Sequence, residues 1–318
     1  MHLLQLPNLC WVAFSNNPFL AGIADKHDDN LTVIDDPVLD QEDWPVLGQG
    51  AGGVTRKVQW KDGEFVAVKT YAGELTSDGS PQDERSISVV ASASRHACLI
   101  SLLGQTSTGA LIMEFLEGYE GLARPPSMET CSRDVYERKR MSTENAKFIV
   151  QGMLQVLTKL HAKGICHGDF YGHNILVQDS DESFLVKLSD FGAAFFYDTA
   201  APYAELVQRI EVRAFGVLVE ELYTLSGGED ADLSELAKSC RSQIPSFSDL
   251  CEKFQFTVWG GLHQQLEWNH SLDSSTNKQK GDWSSSFLWK KRWALPSPQL
   301  KRSYSYVDAF EYVPSNPA

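Results

Sequence analysis

The chain has 318 residues, of which 42% are hydrophobic, and carries a formal net charge of −14 at pH 7. This length allows about two domains with a buried core, and the acidic balance argues against a nucleic-acid-binding protein, which would present a basic face. The six cysteines are scattered without a CxxC pair, which is typical of reduced thiols in the cytoplasm. No apolar run reaches the length of a membrane span. We therefore expect a cytoplasmic protein that contacts neither nucleic acid nor membrane.

The N-terminal stretch resembles a single leucine-rich repeat. Leu6–Phe19 reads LPNLCWVAFSNNPF, with regularly spaced apolar residues and Asn17 in the turn. One repeat cannot bury its own apolar face. Residues 1–23 are therefore predicted to be either a remnant or cap of an array that would bind a protein partner, or an apolar arm packed on the next domain. Residues 24–43 are acidic and are predicted to form a linker.

Strand signals dominate the next segment. Val46-Leu47 leads into the glycine loop Gly48–Gly53, and Val54–Trp60 is joined to Glu64–Thr70 by the turn Asp62-Gly63. An Asp-Gly turn between alternating runs is a strong hairpin signal. A glycine loop between two antiparallel strands suits a flap over phosphates, whereas a loop that opened a helix would indicate a dinucleotide fold.

The remaining chain is predicted to be mainly helical. Ser142–Ala162 has a strong helical period with a start signal at Ser142. The other predicted elements are a helix at Gln82–Ser94, a turn and buried strand in Arg95–Gly104, a buried strand in Gly109–Glu117, a buried helix at Glu211–Leu225, one or two short helices in Leu233–Phe256, and a mostly disordered tail at 259–318.

Two short stretches carry the chemistry. Cys166–Val177 reads CHGDFYGHNILV and places Asp169 five residues before Asn174; Leu188–Ala194 reads LSDFGAA and places Asp190 at the end of a strand. Two carboxylates and an amide are oxygen ligands that suit Mg²⁺ and phosphate. Each fragment alone would more often be a turn with a solvated aspartate. The order of the other motifs decides between these interpretations.

That order resembles a protein kinase. The motifs GQGAGG, VAVK, RHACLISLLG, IMEF, HGDFYGHN, SDFG and EVRAFGVLVEEL follow one another over Trp44–Phe256. With the N-terminal segment, the chain is most similar to the leucine-rich-repeat protein kinase-like proteins. The resemblance implies an α+β, bilobal fold over residues 44–258, with a β-rich N-lobe (44–115) and a shortened α-helical C-lobe (116–258).

The resemblance also implies a site for ATP and Mg²⁺. Asp169 would orient the acceptor hydroxyl and take its proton, Lys69 would hold the phosphates, and Asn174 and Asp190 would hold the metal. Ala67 and Leu176 would sandwich the adenine, Glu114 and Leu116 would offer backbone bonds to its edge, and Met113 would guard the pocket behind. The nucleotide site as a whole would comprise Leu47, Gly48, Gly50, Gly53, Thr55, Ala67, Lys69, Met113, Glu114, Leu116, Leu176 and Asp190.

Several positions depart from the family pattern. Gly168 replaces the arginine before the catalytic aspartate, so control by activation-loop phosphorylation is not expected. Tyr171 replaces a phosphate-binding lysine, which His173 would compensate only weakly at pH 7. The helix glutamate that should pair with Lys69 is best matched by Glu84.

The segment after Asp190 is short. Glu211, at the place of the usual buried-helix aspartate, follows Asp190 by 21 residues with no Ala-Pro-Glu motif between them. Three functions are therefore open: a protein kinase acting on Ser/Thr in preference to Tyr, a small-molecule kinase of the aminoglycoside or choline kind, and a pseudokinase or nucleotide-binding scaffold.

Overall fold

The computed structural model describes residues 31–50, 52–71, 80–127, 134–137, 140–180, 183–242 and 245–256. The predicted repeat-like segment at 1–23 and the predicted disordered tail at 259–318 lie outside the described residues. Among the described helices, none is long and apolar enough to cross a bilayer.

Six strands form the sheet of the N-terminal lobe, in the order β1-β5-β6-β4-β3-β2. Their bounds are β1 Val33–Ile34, β2 Val46–Gly50, β3 Gly53–Gln59, β4 Phe65–Tyr71, β5 Leu102–Thr106 and β6 Leu111–Glu114. Alternate residues such as Val66 and Val68 point to one face of the sheet and form its apolar core with Ile112. Helix α1, Pro81–Ser92, packs beside the sheet. It begins with Pro81 after the N-cap Ser80, whose hydroxyl accepts a bond from the backbone N–H of Asp83.

The prediction of a linker at residues 24–43 is wrong for the described part, residues 31–43. Strand β1 pairs in parallel with β5, and Leu39 is buried in the core of the N-terminal lobe. Two indoles attach this segment to the sheet: Trp60 donates to Asp36 Oδ2 at 3.0 Å, and Trp44 donates to the carbonyl of Val38 at 3.1 Å. Asp35, Glu42 and Asp43 are exposed, and this acidic composition gave no sign of the buried leucine.

Helices and short strands form the C-terminal lobe. Their bounds are β7 Glu120–Gly121, α2 Thr143–Ala162, β8 Ile165–Cys166, β9 Ile175–Asp179, β10 Phe184–Leu188, β11 Phe195–Phe196, α3 Ala204–Leu225, α4 Ala231–Ser242 and α5 Phe247–Lys253. The N-cap predicted at Ser142 is confirmed, because its hydroxyl accepts a bond from the N–H of Asn145. Helix α3 begins at Ala204 and not at Glu211; its first turns bury Val207 and Ile210 among outward-facing polar residues, a pattern too short to recognise in the sequence.

A buried histidine joins the turn before β5 to α2. His96 Nδ1 accepts a bond from the N–H of Cys98 at 3.1 Å, and its Nε2 lies 3.3 Å from Gln155 Oε1. Nδ1 must therefore be unprotonated, and Nε2 carries the hydrogen. Burial, aided by the charge of Lys159, lowers the pKa of His96 from the ordinary 6.5 to about 4.

This shift predicts a loss of stability at mildly acidic pH. Between pH 6.5 and about 4, His96 binds a proton in the unfolded chain but not in the folded chain. The stability present above pH 6.5 is therefore lost as the pH falls toward 4, by roughly 3 kcal/mol at most. Urea unfolding of the wild type and of His96→Asn between pH 7.5 and 4.5 measures this loss. The asparagine oxygen can still accept the Cys98 N–H, so the variant should show the shallower pH dependence. Equal slopes would contradict the assignment.

Candidate active site

Lys69 joins three elements at the cleft between the lobes. Its ammonium, on β4, forms an ion pair with Glu84 of α1, and it lies 3.4 Å from Asp190 Oδ1, beyond the end of β10. The structure therefore confirms Glu84 as the partner of Lys69. Burial alone would lower the pKa of Lys69, but the charges of Asp190 and Glu84 outweigh it and raise that pKa. Lys69 therefore remains a cation inside the cleft.

Asp190 is held in an uncommon backbone conformation. Its φ is 57°, and its Oδ1 accepts a bond from the N–H of Gly192 at 3.1 Å, an arrangement that aspartate tolerates better than most residues. The next residue, Phe191, is buried with its ring 5.3 Å from that of His167. The burial of Phe191 orients Asp190 toward Lys69. Partial desolvation inside the cleft works against ionisation of Asp190, although its side chain is 55% exposed, but the charge of Lys69 and the Gly192 N–H outweigh this and hold its pKa below the ordinary value.

The glycine loop connects β2 and β3 above this cluster. A Cβ at Gly48 or Gly50 would meet nothing within 4 Å, so both backbones face open space. Gly53 is different: its φ is 148°, and a Cβ there would lie 2.0 Å from the carbonyl oxygen of Thr70. A Cβ at Gly52 would lie 3.3 Å from Glu84 Oε2, which places the loop directly over the Lys69–Glu84 pair. The loop has the shape of a flap whose backbone can approach a ligand closely.

The residues predicted to contact adenine come from both lobes. Ala67 of β4 is buried opposite Met113 of β6, whereas Leu176 lies on β9 opposite Gly121 of β7. The other predicted contacts follow the same division: Leu47 is exposed on β2, Thr55 is half-buried on β3, and Leu116 is half-buried after β6. An adenine sandwich assembled from the two lobes is compatible with this placement and stays a prediction.

Glu114 has a structural contact that the sequence did not reveal. Its Oε1 accepts bonds from Lys187 Nζ at 2.5 Å and from the N–H of Ser101 at 2.7 Å. Lys187 lies on β10, so this pair connects the end of β6 in the N-terminal lobe to the C-terminal lobe. The side chain of Glu114 thus joins the lobes. Its backbone N–H donates to the Ser101 carbonyl at 3.0 Å, so the predicted bond to adenine could use only the Glu114 carbonyl.

Asp169 and Asn174 meet on the loop between β8 and β9. Asn174 Nδ2 donates to Asp169 Oδ2 at 2.9 Å and to the Asp169 carbonyl at 2.8 Å. Burial disfavours the carboxylate, but His173 and Asn174 stabilise it, and the pKa of Asp169 is below its ordinary value. Asn174 is thereby oriented by Asp169, and its oxygen is the atom with which it would bind a cation.

His173 is supported by a buried acid that the sequence did not reveal. Its Nδ1 lies 2.9 Å from Asp134 Oδ1, and its Nε2 lies 3.5 Å from Asp169 Oδ2. Burial alone would lower the pKa of His173, but Asp134 and Asp169 outweigh it and raise that pKa to about 9. The expectation that His173 contributes only weakly at pH 7 is therefore wrong: it is a cation beside Asp169. Its partner lies in an irregular segment, where spacing gives no signal.

Glu211 of α3 anchors the loop that carries Asp169. Its two oxygens accept bonds from the N–H groups of His167 at 3.1 Å and Gly168 at 2.9 Å, and Oε2 also lies 2.7 Å from His161 Nε2. Among the described residues, His161, Cys166 and Glu211 form the one cluster with metal-ligand spacing. Burial raises the pKa of the Cys166 thiol, and both Glu211 oxygens are engaged. The cluster is therefore a structural hydrogen-bond group.

Comparisons with known proteins agree with this geometry. The family described as "Protein kinase domain" matches residues 42–225, more than half of the chain. A probable serine/threonine-protein kinase of Dictyostelium discoideum is 30% identical over 48% of this chain and 29% of its own length. The mitogen-activated protein kinase kinase mkk1 of Cytospora mali is 31% identical over 51% and 32%. The cysteine-rich receptor-like protein kinase 2 of Arabidopsis thaliana is 28% identical over 74% and 37%.

The chain belongs to the protein kinase family, a class of ATP-dependent phosphotransferases. Its matched part spans about a third of the length of these curated relatives.

Gly168, where the family pattern has arginine, is required by the backbone. Its φ is 78°, and a Cβ there would lie 2.2 Å from the carbonyl oxygen of Ala193. We therefore predict that Gly168→Arg, which restores the family residue, lowers the free energy of unfolding by at least about 2 kcal/mol, because it adds both a strained backbone and a steric clash. Urea unfolding followed by far-UV circular dichroism measures the change.

Gly48→Ala is the matched control for this prediction, since its Cβ would enter open space. It should change the free energy of unfolding by less than about 1 kcal/mol. A Gly168→Arg protein as stable as the wild type would show that the loop can move away from Ala193.

Proposed function

We propose that this protein is an ATP- and Mg²⁺-dependent protein kinase that transfers the γ-phosphate of ATP to a Ser/Thr hydroxyl. The observation that carries the proposal is the convergence of Lys69, Glu84 and Asp190 at one cleft, with Asp169 and Asn174 on the adjoining loop. A buried ion pair between two elements is costly to assemble unless the geometry is good. Serine/threonine kinases among the relatives support the class of acceptor.

Each residue has a defined part in this reaction. Lys69, held by Glu84, binds phosphate oxygens as a point charge. Asp169, kept ionised, accepts a hydrogen bond from the acceptor hydroxyl and takes its proton as the hydroxyl oxygen bonds to the γ-phosphorus and the bond from that phosphorus to the departing ADP breaks. Asn174 fixes the orientation of Asp169 through the two bonds at 2.8 and 2.9 Å. The glycine loop excludes water above the phosphates. Positioning and charge neutralisation of this kind are the main requirements of phosphoryl transfer.

The residues present fit a magnesium ion. Asp190 has an accessible carboxylate, 55% exposed, and Asn174 keeps an amide oxygen; these hard oxygen atoms are the ligands that Mg²⁺ prefers. When bound, the ion would neutralise charge on the phosphates. The Lys69 contact with Asp190 leaves this carboxylate ionised and ready to bind a cation.

The proposed activity does not depend on phosphorylation of the segment after Asp190. Gly168 offers no guanidinium for a phosphate, and only β11 and a short turned segment lie between Asp190 and the start of α3 at Ala204. Treatment of the purified protein with a phosphatase should accordingly leave its rate of transfer unchanged.

Asp190→Asn is the decisive variant. It removes the carboxylate charge but keeps the shape, so phosphate transfer from labelled ATP to a generic protein substrate should fall by at least about 100-fold. Asp198→Asn is the control, because Asp198 is an exposed acid of the same segment whose Oδ1 accepts a bond from the Ala200 N–H, which asparagine can also do. Transfer that survives Asp190→Asn would overturn the metal assignment.

A second function, a small-molecule kinase, is favoured by one observation. The short segment between Asp190 and α3 leaves little surface on which an extended peptide could bind. Turnover of ATP with a small alcohol or an aminoglycoside, and not with proteins, would establish this alternative. Thermal stabilisation by ATP without any transfer would instead establish a nucleotide-binding scaffold.

We also propose that residues 1–23 contribute to a surface for a protein partner and that the protein acts in the cytoplasm. The repeat-like spacing in Leu6–Phe19 and the scattered cysteines support these two points. Deletion of residues 1–23 should abolish partner capture while leaving ATP-induced thermal stabilisation in place.

A further inference from the structure

Tyr197 lies at the end of a buried hydrogen-bond chain that reaches the loop between β8 and β9, residues 167–174, which we call the catalytic loop. Its hydroxyl is 2.8 Å from His161 Nδ1, and His161 Nε2 is 2.7 Å from Glu211 Oε2. Glu211 in turn accepts the N–H groups of His167 and Gly168. Because the ionised carboxylate of Glu211 only accepts, His161 Nε2 donates to it. The chain therefore runs from the segment after Asp190, through α2 and α3, to the residue next to Asp169.

The surroundings of this chain keep its members in place. Tyr197, His161 and Glu211 are each at most 3% exposed. The His161 ring stacks on Phe247, with centroids 4.9 Å apart, and Tyr197 packs in a small apolar cluster that includes Phe195. Hydrogen bonds in such surroundings are stronger than in water, and their loss leaves buried polar atoms unpaired.

The backbone of the same segment is attached to the same part of the lobe. Strand β11 pairs with β8, with Phe195 opposite Cys166, and the N–H of Tyr197 donates to the Gly164 carbonyl at 2.7 Å. Ala193 approaches Gly168 so closely that no side chain fits between them. The segment therefore rests directly on the catalytic loop, at the position where the family arginine would otherwise stand.

We propose that Tyr197 is a positioning residue which, through His161 and Glu211, fastens the segment after Asp190 to the catalytic loop and so replaces an arginine–phosphate contact. The expected effect on kcat rests on the proposed kinase function, whereas the expected effect on hydrogen exchange does not. Tyr197 acts through its neighbours and is not a catalytic residue. The protein thus has a site that is ordered on folding and requires no modification.

The test compares Tyr197→Phe with Tyr203→Phe in the full chain. Tyr197→Phe removes one hydroxyl and keeps the ring that packs in the apolar cluster with Phe195. We therefore expect this variant to fold. Tyr203 packs against the same apolar cluster and its hydroxyl takes no part in the chain, so Tyr203→Phe is the matched control.

Two measurements are made on each variant. Hydrogen exchange at the amides of residues 195–199 should accelerate about tenfold in Tyr197→Phe, the change expected for loss of one buried hydrogen bond. In the transfer assay, kcat should fall about tenfold while the KM for ATP stays within about twofold, since Lys69 and the glycine loop are not touched. Tyr203→Phe should match the wild type in both.

The outcomes separate this inference from the proposed function. Unchanged exchange in Tyr197→Phe overturns the inference, whatever the activity. Faster exchange with unchanged kcat also overturns the inference, because the attachment of the segment by Tyr197 would then have no effect on phosphate transfer. If the wild type transfers no phosphate, the proposed function fails. In that case, faster hydrogen exchange only in Tyr197→Phe would still support the structural role of Tyr197. Equal exchange in both variants would overturn that role.

Discussion

The pairing of Lys69 with both Glu84 and Asp190 is the interaction on which the rest of the site depends. Each partner comes from a different element: β4, α1 and the segment beyond β10. Lys69 and Glu84 are largely buried, and Lys69 is the cation that balances both acids, so its removal should cost about 3–5 kcal/mol. The two lobes can present these groups to one another only in a narrow range of arrangements, which the Glu114–Lys187 pair at the junction of the lobes further restricts.

The catalytic loop is held by a second, independent set of bonds. Glu211 fixes the backbone at His167 and Gly168, and Asn174 fixes Asp169 by its side chain. Gly168 is accordingly not a lost arginine but a position where close contact with Ala193 excludes every side chain. Glycine at position 168 and the short segment after Asp190 therefore belong to one arrangement, in which that segment packs onto the loop that carries Asp169.

Charge in the site is balanced in part by groups that are distant in sequence. His173 was expected to be a weak substitute for lysine, yet Asp134 and Asp169 make it a stable cation at neutral pH. Burial alone would lower the pKa of Lys69, but the charges of Asp190 and Glu84 raise it, so Lys69 also stays protonated. The loop thus carries a cation beside the proposed base without the lysine usual in the family.

Local patterns in the sequence predicted the hairpin of β3 and β4 and the capped helix α2, and the resemblance of its ordered motifs to protein kinases indicated the family and the candidate residues Lys69, Asp169, Asn174 and Asp190. These features follow from periodicity, capping and motif spacing, which are properties of neighbouring residues. Four features could not be predicted: the structured part of the acidic segment (31–43), the early start of α3, the role of Asp134, and the Tyr197–His161–Glu211 chain. Burial and pKa depend on which distant groups are packed together, and only the tertiary structure decides that.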